Sequence, residues 1–346
     1  MAPPIRVLMI TTAWPTPGQP RTTHFIKRQA DYLRAAGVDV DVFHFHSAKN
    51  PWNYAAAWLR VRPQLRSGRY DLVHAQFGQS GLLALPKALP MVVTLRGSDI
   101  LGIVGKNGRY RFVGRIGQAM SRLVARHADA VVAVSGHMTD YLPPNVGATV
   151  LPSGLDFDLF RPHDRNQSRE RLGLAPDKRL VLFVGNPAQP RKRYDLARRA
   201  VELLNATMPT ELVVAWGVEH DDVPHYMSAC DALVFTSMQE GSPNVVKEAL
   251  ACDLPVVSVP VGDVPIRLRG IDGCEVCADD RPETIATSLG RVLARGERVA
   301  GRVAVQNLDE RFITAQLIDV YRRVLRRSAQ PMTAATPQEA EAANAV

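Results

Sequence analysis

The sequence is poor in cysteine and has no long hydrophobic run. Four cysteines in 346 residues do not make a disulfide framework. Cys274 and Cys277 form one C-x-x-C pair without the second pair of a zinc ribbon, so we expect two buried strand cysteines. No apolar run approaches the roughly 20 residues of a membrane span, and residues 1–11 lack the regions of a signal peptide. These absences predict a cytoplasmic protein.

Aromatic residues are scarce, at 6%, and acidic residues are outnumbered by basic ones, 34 to 42. The formal net charge of +8 favours anionic partners such as nucleic acid, phosphorylated ligands or an acidic membrane surface. The low aromatic content and the lack of a nucleic-acid-binding motif argue against nucleic acid. The hydrophobic content of 46% is ordinary for a globular protein, and 346 residues predict about two domains.

Three common catalytic motifs are also missing. The loop after the first predicted strand, 12–18, has no G-x-G-x-x-G, which argues against a hydride-transfer enzyme. Residues 102–106 lack the spacing of a phosphate-binding loop, and no G-x-S-x-G elbow occurs. Asp156 and Asp158 form a D-x-D without further ligands nearby in the sequence, so we interpret them as a turn.

Short apolar runs alternate with helical patterns, which is typical of parallel βαβ units. The predicted strands are 5–11, 38–45, 71–76, 91–95 and 130–135 in a first series, and 179–185, 211–216, 231–236, 255–259 and 273–278 in a second. The turn-rich stretch 151–162 separates them. We therefore expect a Rossmann-like domain over 1–150 and another over 151–308.

The end of the chain contains one more helix. Apolar residues at helical spacing between Ile313 and Val324 predict an amphipathic helix over about 309–327, which we expect to pack back on the first domain. Residues 328–346 have too few large apolar side chains to fold and are predicted to be a disordered tail.

The most informative motif pairs two carboxylates around a predicted helix start. Glu240 lies in the loop before the helix and Glu248 within it, while Ser242 is suited to cap the helix and Pro243 to its first turn. Backbone N–H groups at a helix N-terminus bind phosphate or sugar oxygens, and carboxylates accept hydrogen bonds from vicinal hydroxyls. The alternative is a capped helix with acidic residues near its start, which the helix dipole also favours.

A basic loop follows the first strand of the second series. Arg191, Lys192 and Arg193 are consecutive there, at a strand-to-helix connection where α/β folds bind ligands. Their charge is suited to holding a diphosphate without a metal. The alternative is a solvated basic turn.

Taken together, these motifs resemble those of the retaining family-4 glycosyltransferases of the GT-B fold. Glu240 and Glu248 match the E-x7-E of that family, and residues 152–162 resemble its P-N-G-V-D…F-x-P linker. In the first half, 70–74 and 94–99 resemble the D-V-I-H-x-H and H-G-x-D strand ends. The resemblance implies two Rossmann-like, doubly wound parallel-sheet domains facing a cleft. It also implies a hexosyl transfer from a nucleotide diphospho-sugar, with UDP or GDP, that needs no metal or cofactor.

The resemblance assigns roles residue by residue. Glu240, Lys192 and Arg96 match catalytic positions. The implied donor-binding residues are Gly185, Asn186, Arg191, Lys192, Gly217, Val218, Glu240, Gly241, Ser242, Pro243, Asn244 and Glu248. The implied acceptor or cleft residues are Gly18, His74, Gly97 and Asp99. For His74, a lone histidine at a strand end, the alternative is a structural role. Within these sets, Glu240 would hold the sugar, Glu248 the ribose and Lys192 the diphosphate.

Three positions depart from the family. Asn186 replaces the usual arginine after the strand glycine, and Arg193 replaces the glycine after the lysine. Arg96 replaces the histidine of H-G-x-D. An arginine there is suited to a bidentate phosphate contact but, being permanently charged, not to relaying a proton.

The first half contains two basic stretches that point to a membrane. Residues 102–128 contain six basic and no acidic residues: Lys106, Arg109, Arg111, Arg115, Arg122 and Arg126. The second stretch contains Arg60, Arg62, Arg66 and Arg69. A basic amphipathic helix can lie on an anionic membrane, which suggests a lipid-linked or other glycan acceptor at the inner face of the cell membrane. The alternative is a core-facing helix with a solvated basic face.

Two other functions remain open from the sequence. A GT-B nucleotide-sugar epimerase would form product without an acceptor. A non-catalytic nucleotide-sugar-binding protein of the same fold would explain the departures at Asn186 and Arg96.

Overall fold

The computed structural model describes residues 3–16, 24–47, 50–105 and 108–329. In this part of the chain the strands form two sheets. The first sheet contains β1 (Arg6–Thr11), β2 (Asp39–His44), β3 (Leu72–Gln76), β4 (Met91–Leu95), β5 (Ala130–Ala133) and β6 (Thr149–Val150). The second contains β7 (Arg179–Val184), β8 (Thr210–Ala215), β9 (Ala232–Phe235), β10 (Val256–Ser258) and β11 (Glu275–Val276).

Both sheets are parallel throughout, and the helices lie in the connections. The first half contains α1 (His24–Ala35), α2 (Pro51–Leu65), α3 (Ser98–Leu101) and α4 (Phe112–His127). The second half contains α5 (Arg165–Leu172), α6 (Tyr194–Asn205), α7 (Val223–Ala229), α8 (Asn244–Ala251), α9 (Val264–Arg267), α10 (Pro282–Arg295) and α11 (Gly301–Ala304), and α12 (Glu310–Ala329) follows. Short 3₁₀ turns occupy Gly78–Ala84, Gly136–Tyr141, Pro190–Lys192, His220–Asp222 and Gln306–Leu308.

The strand order is β2-β1-β3-β4-β5-β6 in the first sheet and β11-β10-β9-β7-β8 in the second. The inner strands are mostly apolar and are buried on both faces, as expected for parallel strands covered by helices on each side. Alternate residues of β1 serve different cores: Val7 and Met9 face one, whereas Leu8 and Ile10 face the other. The predicted α/β architecture of two parallel sheets is therefore confirmed.

Helix α12 returns to the first half, where it packs on α1 and β4. Arg28 of α1 and Glu310 of α12 form a buried ion pair at 2.9 Å. The chain crosses between the halves twice, and the two crossings are hydrogen-bonded: Leu155 N donates to Leu308 O at 2.7 Å, and Glu310 N donates to Leu155 O at 2.8 Å. Of the predicted tail 328–346, the first two residues still belong to α12 and the others lie outside the described residues.

Two minor sequence interpretations can be compared with the structure. Asp156 Oδ1 accepts the backbone N–H groups of Asp158 and Leu159, both at 3.0 Å, so the D-x-D is a turn as predicted. Cys274 and Cys277 flank the short strand β11, Cys277 is buried and Cys274 half-buried, and neither forms a disulfide.

Candidate active site

The second sheet reverses its strand order at β7, which lies between β8 and β9. Parallel α/β sheets bind ligands in the crevice outside the carboxyl ends of the strands at such a switch point. The loop after β7 contains 185–193 and the loop after β9 contains 236–243. Most of the predicted donor residues lie in these two loops, so the topology brings them to one place.

Glu240 joins the two loops through its carboxylate. Lys192 Nζ lies 2.9 Å from Glu240 Oε1, and Arg191 Nη1 lies 2.5 Å from the same oxygen. Arg191 also donates to the backbone oxygen of Gln239 at 2.7 Å. Only 12% of the Glu240 side chain is exposed. Two cations share one carboxylate, so the cluster keeps a positive charge that suits an anionic ligand.

The two motif carboxylates differ in their electrostatics. Burial alone would raise the pKa of Glu240, but the charges of Lys192 and Arg191 outweigh it and lower that pKa. Burial raises the pKa of Glu248, and the nearby charges of Arg28, Lys247 and Lys192 only oppose this rise. Within the described residues, no hydrogen bond contributes to the Glu248 pKa. Glu240 is therefore held by ion pairs, whereas Glu248 retains its capacity to accept hydrogen bonds.

The basic loop is tied to the loop after β9 by its backbone. Met238 N donates to Arg191 O at 2.8 Å, and Thr236 Oγ1 donates to Lys192 O at 2.9 Å. Lys192 also lies over the ring of Phe235, with Nζ 5.4 Å from the ring centre. These contacts fix the position of Lys192 relative to Glu240.

Arg193 and Asn186 shape the loop after β7. Arg193 has φ +50°, and its guanidinium pairs with Asp280 and donates to Thr236 O, so it does not reach Glu240. Asn186 Oδ1 accepts from Ala188 N at 2.9 Å and closes a turn. Arg191, and not Arg193, therefore supplies the second cation of the cluster.

Two of the three glycines predicted for the donor site, Gly185 and Gly217, have positive φ. Gly185 has φ +139°, and a Cβ there would contact the Lys192 side chain at 3.7 Å. Gly217, directly after Trp216 at the end of β8, has φ +71°. Val218 packs against the core of the second half, while Trp216 is 58% exposed beside it.

Ser242 does not cap α8 as predicted. Pro243 occupies the capping position in an extended conformation, without a side-chain hydrogen bond, and the helix begins at Asn244. The Ser242 hydroxyl instead donates to Asp263 Oδ2 at 2.8 Å, an oxygen that also accepts from Arg267 Nε at 3.0 Å. The capping prediction was wrong because α8 begins at Asn244, so Ser242 lies one residue before the capping position.

The loop after β10 packs against the backbone of the predicted sugar-binding loop, 240–244. A Cβ at Gly262, which has φ +58°, would lie 2.8 Å from the carbonyl oxygens of Glu240 and Gly241. Asn244 Oδ1 at the start of α8 is buried and has no hydrogen-bond partner among the described residues. Sequence reasoning missed Gly262 and Asp263; their position directly after a predicted strand was the available signal.

The two halves touch at the predicted sugar loop. A Cβ at Gly97, which has φ +145°, would lie 3.6 Å from Gly241 N, and a Cβ at Gly241 would lie 3.0 Å from Arg96 O. Gln239 Nε2 donates to Leu101 O at 3.2 Å across the same cleft. Glycine at both positions permits this close backbone approach, and Gly97 lies at the contact between the two halves.

The Arg96 side chain is bound by the first half and the linker. Nε and Nη2 donate to Gln76 Oε1 at 2.9 and 2.6 Å, Nη2 donates to Gln29 Oε1 at 3.0 Å, and Nη1 donates to Ser153 Oγ at 2.8 Å. Its guanidinium also lies 4.9 Å from the centre of the Phe25 ring. Burial lowers its pKa to about 10, so it remains charged at neutral pH. The sequence did not indicate that Gln76 and Gln29 would hold this charge.

His74 is not a cleft residue, contrary to the prediction. It is fully buried in β3, with Nδ1 2.6 Å from Tyr321 Oη and Nε2 2.7 Å from Thr94 Oγ1. Burial lowers its pKa to about 3, so the ring is neutral at pH 7. His74 ties the first sheet to α12.

Asp99 holds the loop after β4 rather than an open ligand site. Its carboxylate accepts backbone N–H bonds from Gly78 at 3.0 Å, Arg96 at 3.1 Å and Gly97 at 2.8 Å. Burial raises its pKa, and these bonds oppose the rise. Gly18, the remaining predicted cleft residue, lies outside the described residues.

Lys247 is a buried lysine beside the motif residue Glu248, and the sequence prediction missed it. In the sequence it lies between Glu240 and Glu248. It is 1% exposed, and Nζ donates to Ser153 O of the linker at 2.8 Å. Burial lowers its pKa to about 7. A lysine between two valines and the motif residue Glu248, in a short helix with few other polar residues, was the signal that could have indicated it.

The described residues contain neither a candidate metal centre nor a candidate membrane-spanning helix. No group of three or more His, Cys, Asp or Glu side chains there could hold a metal ion. No helix in the same part of the chain is long and apolar enough to cross a membrane.

Comparison with protein families gives two matches that follow the two sheets. Residues 5–154 match the family model "Glycosyl transferase 4-like domain", and residues 178–295 match "Glycosyl transferases group 1". The D-inositol 3-phosphate glycosyltransferase of Mycobacterium marinum is 30% identical over 268 residues, covering 66% of this chain and 56% of that protein. Its counterpart in Mycolicibacterium gilvum is 30% identical over 295 residues, covering 73% and 65%.

Solved structures show the same architecture. Sucrose-phosphate synthase from Thermosynechococcus elongatus has a TM-score of 0.77 at 18% identity, covering 94% of this chain and 100% of that one. Anabaena Alr3699/HepE in complex with UDP-glucose has a TM-score of 0.66 at 16% identity, covering 92% and 100%. At these identities the likeness shows the fold alone.

Two parallel-sheet α/β domains facing a cleft define the GT-B class, and the predicted fold is confirmed. Within that class, this chain belongs to the group 1, family-4-like glycosyltransferases. It spans 56 to 65% of the length of the curated relatives it matches.

Proposed function

We propose that this chain is a retaining glycosyltransferase. It would move a hexosyl-type sugar from a nucleotide diphospho-sugar, UDP or GDP, to a glycan or lipid-linked acceptor. The proposal depends on one observation: Glu240 is held by Lys192 and Arg191 in front of α8 at the switch point of the second sheet. The names of the relatives and the UDP-glucose bound by the Anabaena protein support it.

The charge cluster suits the bond that must break. Cleavage of the anomeric bond leaves negative charge on the diphosphate, and fixed cations and helix N–H groups stabilise that charge as it forms. The Lys192 ammonium has three donors, so it can bind a phosphate oxygen while keeping its contact with Glu240. Since Lys192 and Arg191 supply this charge, we propose a reaction that needs no metal and no other cofactor.

Glu248 is the proposed ribose ligand. Its carboxylate is desolvated enough for burial to raise its pKa. Ribose hydroxyls would donate to it and replace the hydrogen bonds that water supplies to an exposed carboxylate. Glu240 and the backbone of 241–244 would then face the transferred sugar.

Retention follows from attack on the face from which the diphosphate leaves. The leaving phosphate would take the proton of the acceptor hydroxyl, and no covalent intermediate on the protein is needed. The close approach of Gly97 to Gly241 would exclude water from this step. Arg96 would act by fixing the loop that contains Gly97, because its bonds are made to Gln76, Gln29 and Ser153.

The acceptor side is proposed to contact an anionic membrane. Helix α4 exposes Phe112, Val113, Ile116 and Leu123 among several arginines, a pattern typical of helices that lie on a bilayer surface. The protein would then be cytoplasmic and bind at the inner face of the cell membrane. Co-sedimentation with anionic vesicles at low salt is the test, and a protein that stays in the supernatant would contradict it.

Thermal unfolding with UDP, GDP, ADP and CMP, in the presence of EDTA, tests the donor site. A nucleotide at about 100 times its dissociation constant adds ~2.7 kcal/mol to the unfolding free energy. We expect one uridine or guanosine nucleotide to raise the midpoint in the wild type and in Lys178→Ala, an exposed lysine paired with Glu211. The shift should be lost in Lys192→Ala and Glu248→Ala; no shift with any nucleotide would contradict the proposal.

Product analysis tests the reaction itself. With the matching nucleotide sugar, NMR should show a product with the anomeric configuration of the donor; the opposite anomer would contradict retention. Turnover without any acceptor would instead indicate an epimerase or hydrolase. Nucleotide-sugar binding without turnover would indicate a non-catalytic binding protein.

A further inference from the structure

The first half contains a cavity of about 700 Å³, which is within the roughly 300–1,000 Å³ of small-molecule sites. Helix α2 contributes Tyr54 and Trp58 to its lining, and α4 contributes Ile116 and Met120. Phe77, after β3, completes the wall between the two helices. The cavity is therefore a pocket between two helices and the end of the sheet.

The interior of this cavity is apolar. Asp99 is the one charged side chain in its described lining, and its carboxylate is already engaged by backbone N–H groups, including those of Gly78 and Gly97. The polar atom of Trp58 is satisfied as well, because Nε1 donates to Leu85 O at 2.7 Å. A ligand in the cavity would gain mainly by burying apolar surface.

The position of the cavity matches the ligand site of an α/β sheet. The first sheet reverses its order at β1, which lies between β2 and β3, and the loops after β1 and β3 both line the cavity. Ser98 and Asp99 also line it, directly after Gly97, whose backbone approaches Gly241. Two residues of the cavity lining therefore directly follow Gly97, which makes the contact between the two halves beside the proposed sugar site.

The lining continues onto the protein surface along α4. Val113, Ile116 and Met120 line the cavity and are also 37 to 49% exposed, and Phe112 beside them is 75% exposed. The same helix has no acidic residue, and its arginines at 115, 122 and 126 are exposed. An apolar interior that opens along a cationic helix complements an amphiphile with an apolar chain and an anionic head.

From these features we propose that the cavity binds the apolar chain of a phosphate-bearing lipid, whose phosphate meets the arginines of α4. A hydroxyl of the lipid head group would be the acceptor: its oxygen bonds to the anomeric carbon as the bond to the nucleoside diphosphate breaks, and the leaving phosphate takes its proton. This role depends on the proposed glycosyl transfer. The donor site in the second half and the lipid site in the first would then face each other across the Gly97–Gly241 contact.

Fluorescence quenching of the full chain tests this without turnover. The probe is a single-chain alkyl phosphate with bromine on its terminal carbon, used below its micelle concentration, because bromine quenches nearby indoles and Trp58 lines the cavity. We expect saturable quenching. Ala55→Phe, which places a ring in the cavity, should weaken binding about tenfold, the loss expected when about two methylene groups are no longer buried. Ala56→Phe is the matched control, since Ala56 is exposed on the same helix outside the lining.

Each alternative result overturns the proposal. Absence of quenching, or equal binding of the probe by both variants, would mean that the alkyl chain of the probe does not enter the cavity. Inositol phosphate that competes as well as the alkyl phosphate would indicate a soluble phosphorylated acceptor. Thermal stabilisation by nucleotides, measured on the same samples, separates the lipid proposal from the donor-site proposal. If nucleotides bind and the probe does not, only the lipid proposal is overturned. A probe that binds while no nucleotide does would overturn the acceptor role.

Discussion

The two sheets reverse strand order in the same way but differ in what lies beyond the reversal. In the second half, the reversal at β7 is surrounded by Lys192, Arg191 and Glu240, three charges within hydrogen-bonding distance. In the first half, the reversal at β1 opens on an apolar cavity between α2 and α4. The shared topology fixes where a ligand can bind, and the side chains at each reversal decide which chemistry it must have.

This difference also explains which site the sequence reveals. Charged residues at the second reversal occur in two short stretches, 191–193 and 240–248, so their pattern is legible without a structure. The cavity of the first half is lined by residues scattered between 12 and 120, and most of them are ordinary apolar side chains. Variants that affect only the charged site of the second half, or only the apolar cavity and helix α4 of the first half, test whether the two sites are separate.

The largest effect is expected at Lys192. Lys192→Ala removes a preorganised cation from the diphosphate site, and we expect kcat/KM to fall about 100-fold or more. Quenching by the alkyl phosphate should be unchanged, because Lys192 does not line the cavity. Steady-state kinetics beside Lys178→Ala provides the comparison. If Lys192→Ala kept the wild-type kcat/KM, the reaction could not take place at the site around β7 as proposed.

Glu248→Ala should weaken nucleotide binding. A hydrogen bond to a charged group contributes about 1.5–3 kcal/mol, which corresponds to a loss of roughly tenfold or more in affinity. If Glu248 binds the ribose, the difference between wild type and variant should vanish with a 2′,3′-dideoxy nucleotide. Calorimetric titration measures both, and an equal loss with both nucleotides would assign Glu248 to another part of the donor.

Lys247 should give the folding stability a dependence on alkaline pH. Burial lowers its pKa from 10.5 to about 7, so between these values the unfolded chain binds more protons than the folded one. The penalty for the buried charge is complete below pH 7 and is relieved as pH rises. Stability should therefore gain up to ~1.4 kcal/mol per pH unit from this group.

Denaturant unfolding of Lys247→Met and wild type between pH 7 and 10 measures this contribution. The variant should lose the rise, whereas Lys178→Met, at an exposed lysine, should keep it. A parallel pH dependence in Lys247→Met and wild type would show that Lys247 is not the titrating group.

The smallest effect is expected on the surface of α4. Arg115→Gln should reduce partition onto anionic vesicles about fivefold, as expected for ~1 kcal/mol per basic residue near the membrane surface. Arg326→Gln, at an exposed position of α12, is the control. Equal effects of the two substitutions would mean that binding follows net charge rather than this face of the first half.

Much of the fold could be predicted because each inner strand is a short apolar run followed by a turn or a helix start. The members of the cluster at Glu240 could be named from the sequence as well, since Glu240, Lys192 and Arg191 all lie in the two motifs, but their contacts could not. Contacts between distant residues were not predictable: Asp263 takes the Ser242 hydroxyl, and Gln76 with Gln29 binds Arg96. His74 was misplaced because its partner Tyr321 is 247 residues away in the chain.

The paired crossings at Leu155 and Leu308 have a mechanical consequence. We expect a connection made of two hydrogen-bonded chain segments to bend about one axis more easily than it twists. We expect the motion between the halves to be described by one angle, with the displacement growing in proportion to the distance from the pivot. Residues at the rim of the cleft would then move farthest, and those near Leu155 would move least. One pair of distance labels across the rim would be enough to follow the motion between the halves.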